Sequence, residues 1–337
     1  MKERLFLCLL TAILLLLTGC RQTAAQTVTF YDLFDTAITF TAYAEDAVTF
    51  QDWTATLKSE LTAVHQAADP YHTYAATPNN LCTVNASAGT NDIPADQTLT
   101  ALLQFGADAF DFTEGKVNVA LGRVTALWKN CRDAAQSGTA QLPSQAELEN
   151  ALKAADFSAV SFSDNTITLP AGVALDFGAV AKGWATEKAA DLLESKGCVG
   201  LINAGGTVRT IGEKPNGAPW TVRIAHTFEN DTYSLDVYIG DKTAVATSGD
   251  YQRYYAVDGV TYSHIIDPQT GYPPRYMRAV TVICDDAGFA DALSTALFLM
   301  PIDKAINFTN NLEGVEAVFL DNDLNWRYSD GFSQYIK

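Results

Sequence analysis

A carboxylate and a hydroxyl lie four residues apart in the apolar segment ADALSTALFLM, which predicts a helix over residues 289–300. Asp291 and Thr295 would face the same side of that helix. Such oxygen ligands suit a hard cation such as Mg²⁺, although two protein oxygens do not complete an octahedron, so a backbone carbonyl and a ligand phosphate would have to supply the rest. The spacing is common, and a helix cap with a solvent-facing hydroxyl would explain most examples of it.

A histidine among hydroxyl groups is the second candidate for chemistry. His264 follows Ser263 in a predicted strand over residues 261–266, and the Asp267-Pro268-Gln269-Thr270-Gly271 sequence that comes next is typical of a turn. The chain has 4 His, and one with Ser and Asp nearby could serve as a general base. Taken alone, His264 is better explained as a structural histidine.

An anion site is the third candidate. In LDFGAVAKGWATEKAADLL, an acidic turn with glycine opens into a helix that carries Lys182, and a later apolar run ends in Asn203-Ala204-Gly205-Gly206. The free N–H groups and the dipole of a helix N-terminus favour an anion. The spacing matches neither Walker A nor GxGxxG. Close packing of a helix on a sheet would use the same glycines.

The elements that must position these residues show no fixed repeat. Residues 27–44 predict paired strands. Residues 52–68 predict an amphipathic helix, with Trp53, Leu57, Leu61 and Val64 on one face. Further predicted helices cover residues 98–112 and 118–129, and another starts at Ser144 as a capping box with Glu147. Strands that meander dominate after residue 215, so the pattern predicts an α+β fold in one compact unit.

The first twenty residues predict a targeting segment. Lys2 and Arg4 precede an apolar run over residues 5–17, which is too short to span a bilayer and suits a signal peptide. The run ends in LTGC, which resembles a bacterial lipobox. This resemblance implies removal of residues 1–19, diacylglyceryl and palmitate groups on Cys20, and anchoring at the extracytoplasmic face of the cell membrane. An ordinary secretory peptide or an uncleaved anchor is the alternative.

Charge and cysteine usage exclude some functions. The net charge of −17 argues against nucleic acid and against electrostatic adhesion to anionic lipid. An anionic ligand would therefore need a local device such as a metal ion or a helix N-terminus. No CxxC or Cys/His spacing supports a zinc site. Disulfides and buried thiols both remain open for the four mature-chain cysteines, Cys82, Cys131, Cys198 and Cys284.

Five blocks of the chain, in order, resemble the FAD:protein FMN transferases, the ApbE family of bacterial flavin-trafficking lipoproteins. They are LDFGAVAKGWATEKAADLL, LINAGGTVRTIG, AVATSGDYQRYY, YSHIIDPQTGYP and ADALSTALFLM. Weaker matches extend upstream through DLFDTAITFTAY, DPYHTYAATPNNLCTVN and GKVNVALGRVTALWK. The resemblance implies a single ApbE-like, T-fold-related domain over residues 30–337, with mixed or antiparallel sheets packed against helices. Residues 20–29 would be the lipidated cysteine and its tether.

The resemblance also implies roles for matching residues. Asp291 and Thr295 match the side-chain ligands of the family's Mg²⁺, and Ala179, where the family often has glycine, matches the residue whose backbone carbonyl joins them. His264 matches the essential histidine, with Asp267 as its assistant. The residues that match FAD-binding positions are Tyr71, Asn85, Lys182, Asn203, Gly205, Gly206, Ser248 and Asp250. Cys82 replaces a common serine, which puts the shape of the adenine pocket in doubt.

The implied activity is Mg²⁺-dependent transfer of the FMN moiety of FAD to a Thr or Ser hydroxyl, with release of AMP. The acceptor would be an exported client, a flavoprotein subunit of a membrane redox complex. Water in place of the hydroxyl would give an FAD pyrophosphatase that yields FMN and AMP. A non-enzymatic FAD-binding lipoprotein is disfavoured, because His264, Asp291 and Thr295 are all present.

Overall fold

The computed structural model describes residues 24–228, 231–251 and 253–337. The predicted signal segment and the lipidated Cys20 lie outside these residues. Within them, no helix is both long enough and apolar enough to cross a membrane.

The described residues form both helices and long runs of strands, the mixture typical of an α+β fold. The helices are α1 (Ala47–Ala68), α2 (Leu81–Ala86), α3 (Gln97–Phe112), α4 (Gly122–Gln136), α5 (Gln145–Lys153), α6 (Ala181–Ser195), α7 (Ala287–Phe298) and α8 (Ile302–Asn310), with short 3₁₀ helices at Phe157–Ala159 and Phe332–Tyr335. The strands are β1 (Gln26–Leu33), β2 (Thr36–Ala42), β3 (Ile93–Pro94), β4 (Ser161–Phe162), β5 (Thr166–Thr168), β6 (Gly200–Ala204), β7 (Thr207–Ile211), β8 (Trp220–Phe228), β9 (Asp231–Ile239), β10 (Ala244–Gly249), β11 (Tyr254–Val257), β12 (Val260–Ser263), β13 (Ala279–Cys284), β14 (Glu316–Leu320) and β15 (Trp326–Tyr328).

An antiparallel sheet of eight strands forms the centre of the domain, in the order β1-β2-β6-β7-β10-β13-β14-β15. Smaller sheets are the β8–β9 hairpin, the β11–β12 hairpin and the set β3-β5-β4. The predicted α+β class and the paired strands over residues 27–44 are confirmed. The predicted strand over residues 261–266 is too long: β12 ends at Ser263, so His264 lies directly after a strand rather than within one.

The two faces of the central sheet contact different partners, because side chains alternate along a strand. Val280 and Val282 of β13 pack in one cluster with Leu293 and Leu297 of α7. Ile283, the next residue along β13, faces the other way and belongs to a cluster with Trp220 of the β8–β9 hairpin. The helical face therefore holds α7, and the opposite face is covered by β8–β9.

Two close contacts join α6 to α7 on the helical face. A Cβ at Gly183 would lie 2.5 Å from the Ala287 carbonyl oxygen and against Asp291, so only glycine allows this approach. Glu187 accepts the Ala287 N–H at 2.6 Å and forms an ion pair with Arg209 of β7 at 2.8 Å. These contacts fix the first two turns of α6 beside the first two turns of α7.

A buried histidine on the opposite face gives stability a pH dependence. His226 is 1% exposed, packs beside the Tyr251 and Trp326 rings, and burial lowers its pKa from 6.5 to about 4. Between those values the unfolded state binds the proton more readily, so the free energy of unfolding should fall as the pH drops below 6.5. The expected loss is roughly 2 kcal/mol at pH 5.

Urea unfolding at pH 7 and pH 5 tests this prediction. The His226→Phe variant keeps an aromatic ring without a titrating group, and should therefore lose less stability on acidification than the parent protein. Equal losses in the two proteins would assign the acid sensitivity to other groups.

Candidate active site

Asp291 lies at the centre of a hydrogen-bonded cluster between α7, α6 and β7. It is 6% exposed, and its Oδ1 lies 2.8 Å from Lys182 Nζ and accepts the Thr207 hydroxyl at 3.0 Å. Its Oδ2 accepts the Gly183 N–H at 2.9 Å. Lys182 also donates to the Thr207 hydroxyl. The carboxylate is thus held by donors from two elements, and one of these donors is a cation.

The bond from Gly183 to Asp291 changes what Ala179 can do. In an α-helix the N–H of residue 183 would donate to the carbonyl of residue 179. Here that N–H donates to the carboxylate, and no backbone N–H of the described residues donates to Ala179 O. The carbonyl oxygen of Ala179, one helical turn before Gly183, is therefore left available.

The donor atoms around Asp291 fit a hard divalent cation. The carboxylate, the Thr295 hydroxyl and the Ala179 carbonyl are oxygen donors, which suit Mg²⁺. Thr295 lies one turn after Asp291, with its hydroxyl 3.3 Å from Asp291 O and 3.4 Å from Ser248 Oγ. No group of three His, Cys, Asp or Glu that could hold a metal occurs in the described residues. A cation here would thus depend on ligand oxygens to complete its coordination.

The tight turn between β6 and β7 delivers Thr207 to this cluster. Asn203 Oδ1 accepts the Gly206 N–H at 3.1 Å, and β6 pairs with β7 from Ala204 opposite Thr207. Gly205 and Gly206 have φ of 57° and 95°, in the left-handed region. A Cβ at Gly205 would collide with the Thr36 side chain. The glycines therefore allow the turn to pack against β2.

His264 lies directly after β12 and is exposed to solvent. Its Nδ1 lies 3.2 Å from the Arg253 carbonyl oxygen. If Nδ1 carries the proton of this hydrogen bond, Nε2 keeps its lone pair. The arrangement suits a general base.

The environment of His264 lowers its pKa below the usual 6.5. Desolvation by the surrounding protein is the largest cause, followed by the charge of Arg253. The charges of Arg132 and Lys182 act in the same direction. Solvent contact with the ring opposes part of the desolvation. The imidazole is neutral at pH 7 and able to accept a proton.

Asp267 is not placed as the partner of His264. Its carboxylate is buried, accepts the Gln269 N–H at 2.9 Å and lies 3.8 Å from Lys116 Nζ. The hydrogen bond of His264 goes to Arg253 instead. Asp267 therefore shapes the turn after His264, because its short side chain caps the backbone two residues ahead. Trp128 supports the same turn by donating to a carbonyl oxygen at 2.6 Å.

Tyr71 and Asn85, the two upstream candidates for FAD binding, have different surroundings. Tyr71 is 55% exposed, and Lys129 Nζ lies 5.1 Å from its ring centroid. Asn85 donates to Leu175 O at 2.9 Å and accepts the Leu175 N–H at 2.8 Å. Tyr71 is available to a planar ligand, whereas Asn85 holds the turn that precedes α6.

Ser248 of β10 and Asp250, directly after that strand, both make internal contacts. Ser248 Oγ lies 2.8 Å from Ser294 Oγ of α7. Asp250 accepts the Arg278 guanidinium at 2.8 Å, and desolvation raises the pKa of Asp250 above its usual value of 3.8. All four cysteines of the described residues are free thiols, and Cys82 is the one that is not buried.

Three residues of the site were not predicted from the sequence. Thr207 and Gly183 both contact Asp291, and Arg253 contacts His264. Thr207 and Asp291 are 84 positions apart, and no local pattern encodes that pairing. The signal that could have drawn attention to Thr207 is its position directly after the Gly-Gly turn.

Comparison with known proteins gives a consistent result. A sequence model of the ApbE family matches residues 34–319. The chain is 30% identical over 275 residues to the FAD:protein FMN transferase of Treponema pallidum, covering 76% of this chain and 75% of that protein. Its identity to the FAD:protein FMN transferase of Klebsiella pneumoniae is 28% over 242 residues, covering 70% and 73% of the two chains. The crystal structure of the ApbE protein from Thermotoga maritima superposes with a TM-score of 0.83 at 26% identity, covering 93% of this chain and all of that one.

Proposed function

The chain belongs to the ApbE family, and on that premise we propose that it is a flavin transferase, which moves the FMN moiety of FAD to a protein hydroxyl. Relatives at 28–30% identity that carry the name FAD:protein FMN transferase support the assignment. The observation that carries it is the Asp291 cluster, in which a buried carboxylate meets Lys182 and the Gly183 N–H, together with the exposed His264 as the candidate base.

We propose Mg²⁺ as the resident cation. Asp291, the Thr295 hydroxyl and the Ala179 carbonyl would hold it, because these oxygens fit its chemistry and Ala179 O has no described backbone donor. When bound, it would neutralise charge on the FAD pyrophosphate and make the phosphorus more electrophilic. Lys182, at the N-terminal turn of α6, would donate to a phosphate oxygen.

His264 supplies the base in this proposal. Its Nε2 would accept the proton of a Thr or Ser hydroxyl of the client, and the oxygen would attack the FMN-side phosphorus in line. The bond from that phosphorus to the bridging oxygen breaks, and AMP leaves with the bridging oxygen. The client then carries FMN through a phosphoester. Tyr71, with its ring exposed, would stack on a planar ring of FAD.

Water is the competing acceptor, because solvent reaches His264. Chromatography of FAD, FMN and AMP, with and without a client domain, separates the two reactions. For a transferase, AMP production should depend on the client, and free FMN should stay below the AMP formed. Equal amounts of AMP and free FMN, formed at the same rate with and without the client, would establish a pyrophosphatase. If FAD stays intact in every sample, the protein would be an FAD-binding protein without enzymatic activity.

We also propose that the protein is a lipoprotein at the extracytoplasmic face of the membrane, where exported redox subunits would be its clients. Support comes from the LTGC sequence, and the net charge of −17 leaves the lipid as the means of membrane attachment. Cys20→Ser should move the full-length protein from the membrane fraction to the supernatant. Retention of this variant in the membrane would contradict the lipid anchor.

A further inference from the structure

Arg253 contacts both the edge of the central sheet and His264. Its Nη2 donates to Asp35 O at 2.8 Å and to Phe34 O at 3.3 Å. Its own carbonyl oxygen lies 3.2 Å from His264 Nδ1. One residue therefore joins the β1–β2 turn to the candidate base.

The β1–β2 turn is held in place by contacts with the central sheet and with α1. Phe34 and Asp35 have φ of 54° and 51°, and the Phe34 N–H bonds to His65 Nδ1 of α1 at 3.3 Å. The Phe34 ring also packs edge-on against His65. β2 continues from this turn into the central sheet, with Ile38 and Phe40 fully buried. The turn is thus held by the sheet and by α1.

The β11–β12 hairpin, which ends next to His264, has weaker support of its own. It is a two-stranded sheet with no third strand among the described residues, and such hairpins are marginal in isolation. Tyr255 packs it against Trp128 of α4. The Arg253 guanidinium supplies a second attachment, on the side of the central sheet.

We propose that Arg253 is a positioning residue for His264: its guanidinium fastens the β11–β12 hairpin to the β1–β2 turn, and its carbonyl selects the Nδ1–H tautomer. The Nε2 lone pair is then directed to the incoming hydroxyl. The identity of that hydroxyl rests on the proposed function, whereas the tautomer and orientation of His264 do not.

Kinetics of three variants test this role. Arg253→Ala should lower kcat by about 10- to 100-fold, since a misplaced base loses near-attack geometry, while the Kd of FAD stays unchanged. Arg253→Lys, which keeps the charge but lacks the planar fork, should recover part of kcat. The matched control is Arg223→Ala, because Arg223 is an exposed arginine paired with Asp236 on the β8–β9 hairpin. It should leave both constants unchanged.

Two kinetic outcomes would overturn the proposal. A raised Kd for FAD with kcat retained would make Arg253 a ligand of the pyrophosphate. A further loss from Arg253→Ala in the His264→Ala background would show that Arg253 acts on something other than His264. Thermal melts of Arg253→Ala and Arg253→Lys identify a folding defect. If Arg253→Ala is unfolded, the kinetics of Arg253→Lys are compared with those of the parent protein instead.

A spectroscopic readout is independent of flavin chemistry. In the ¹⁵N-histidine spectrum of the protein without FAD, the signals absent from His264→Ala should be those of an Nδ1–H tautomer. Arg253→Ala should mix the tautomers and raise the pKa of His264, while the charges of Arg132 and Lys182 remain. An Nε2–H tautomer in the parent protein would refute the positioning role. The expected tautomer without transfer to any client would refute only the proposed function.

Discussion

Asp291→Asn should reduce flavin transfer by about 10²- to 10³-fold and remove its dependence on Mg²⁺. The substitution keeps the shape of the side chain and an acceptor for the Gly183 N–H, but it removes the charge that faces Lys182 and would face the cation. Loss of several kcal/mol of charge stabilisation corresponds to a rate loss of that size. FAD should also bind more weakly, because the proposed cation would no longer be held where it would neutralise the pyrophosphate.

The measurement combines transfer rates over a Mg²⁺ titration with calorimetric binding of Mg²⁺ to the protein alone. Asp285→Asn is the matched control, since Asp285 is exposed and directly precedes the N-cap of α7. A melting curve is needed for Asp291→Asn, because Lys182 would lose its carboxylate partner at a cost of roughly 2 kcal/mol. A folded variant that binds Mg²⁺ and transfers at the parent rate would exclude Asp291 as a ligand.

His264→Ala should slow transfer by about 10²- to 10⁴-fold while FAD remains bound. Removal of a general base typically costs 10²- to 10⁴-fold, and His264 has no described contact with the Asp291 cluster other than long-range charge. The Kd of FAD should therefore change little. Thr261→Ala, at an exposed position on β12, the strand that ends directly before His264, should transfer normally.

The pH dependence of kcat/KM in the parent protein is a second test of His264 as the base. Because the pKa of His264 is lowered, the neutral base persists below pH 6.5, and kcat/KM should fall only on further acidification. Added imidazole should restore part of the activity of His264→Ala. Undiminished client labelling by this variant would move the base elsewhere, with Asp267 the next residue to replace.

Local features of this fold could be predicted from the sequence because their causes are local. The face with Leu57 and Leu61 is buried in α1, and the capping box of Ser144 and Glu147 is present at α5. The sequence also predicts a helix over residues 118–129, but α4 begins at Gly122. The reason is Asn118, whose side chain accepts the Ala120 N–H at 2.8 Å and so favours a turn.

The sequence indicates candidate residues where side-chain chemistry repeats a family pattern, but it does not indicate backbone donors or pairs of distant residues. Asp291 and Lys182 are separate candidates in the sequence, 109 positions apart, and the structure brings their side chains to 2.8 Å. The hydrogen bond of His264 goes to a carbonyl, and every residue has a carbonyl, so no residue type could indicate Arg253. The contribution of Gly183 depends on how closely α6 and α7 approach, which only the folded chain shows.

The central claim, transfer of FMN from FAD to a protein hydroxyl, is tested most directly by the intact mass of a client. The protein from Gln22 onward would be incubated with FAD, Mg²⁺ and the extracytoplasmic domain of a candidate redox subunit. We expect the client to gain the mass of one FMN residue, and the gain to disappear with EDTA or with His264→Ala. A client that stays unmodified while FAD is converted to free FMN and AMP, across all candidate domains, would contradict the claim.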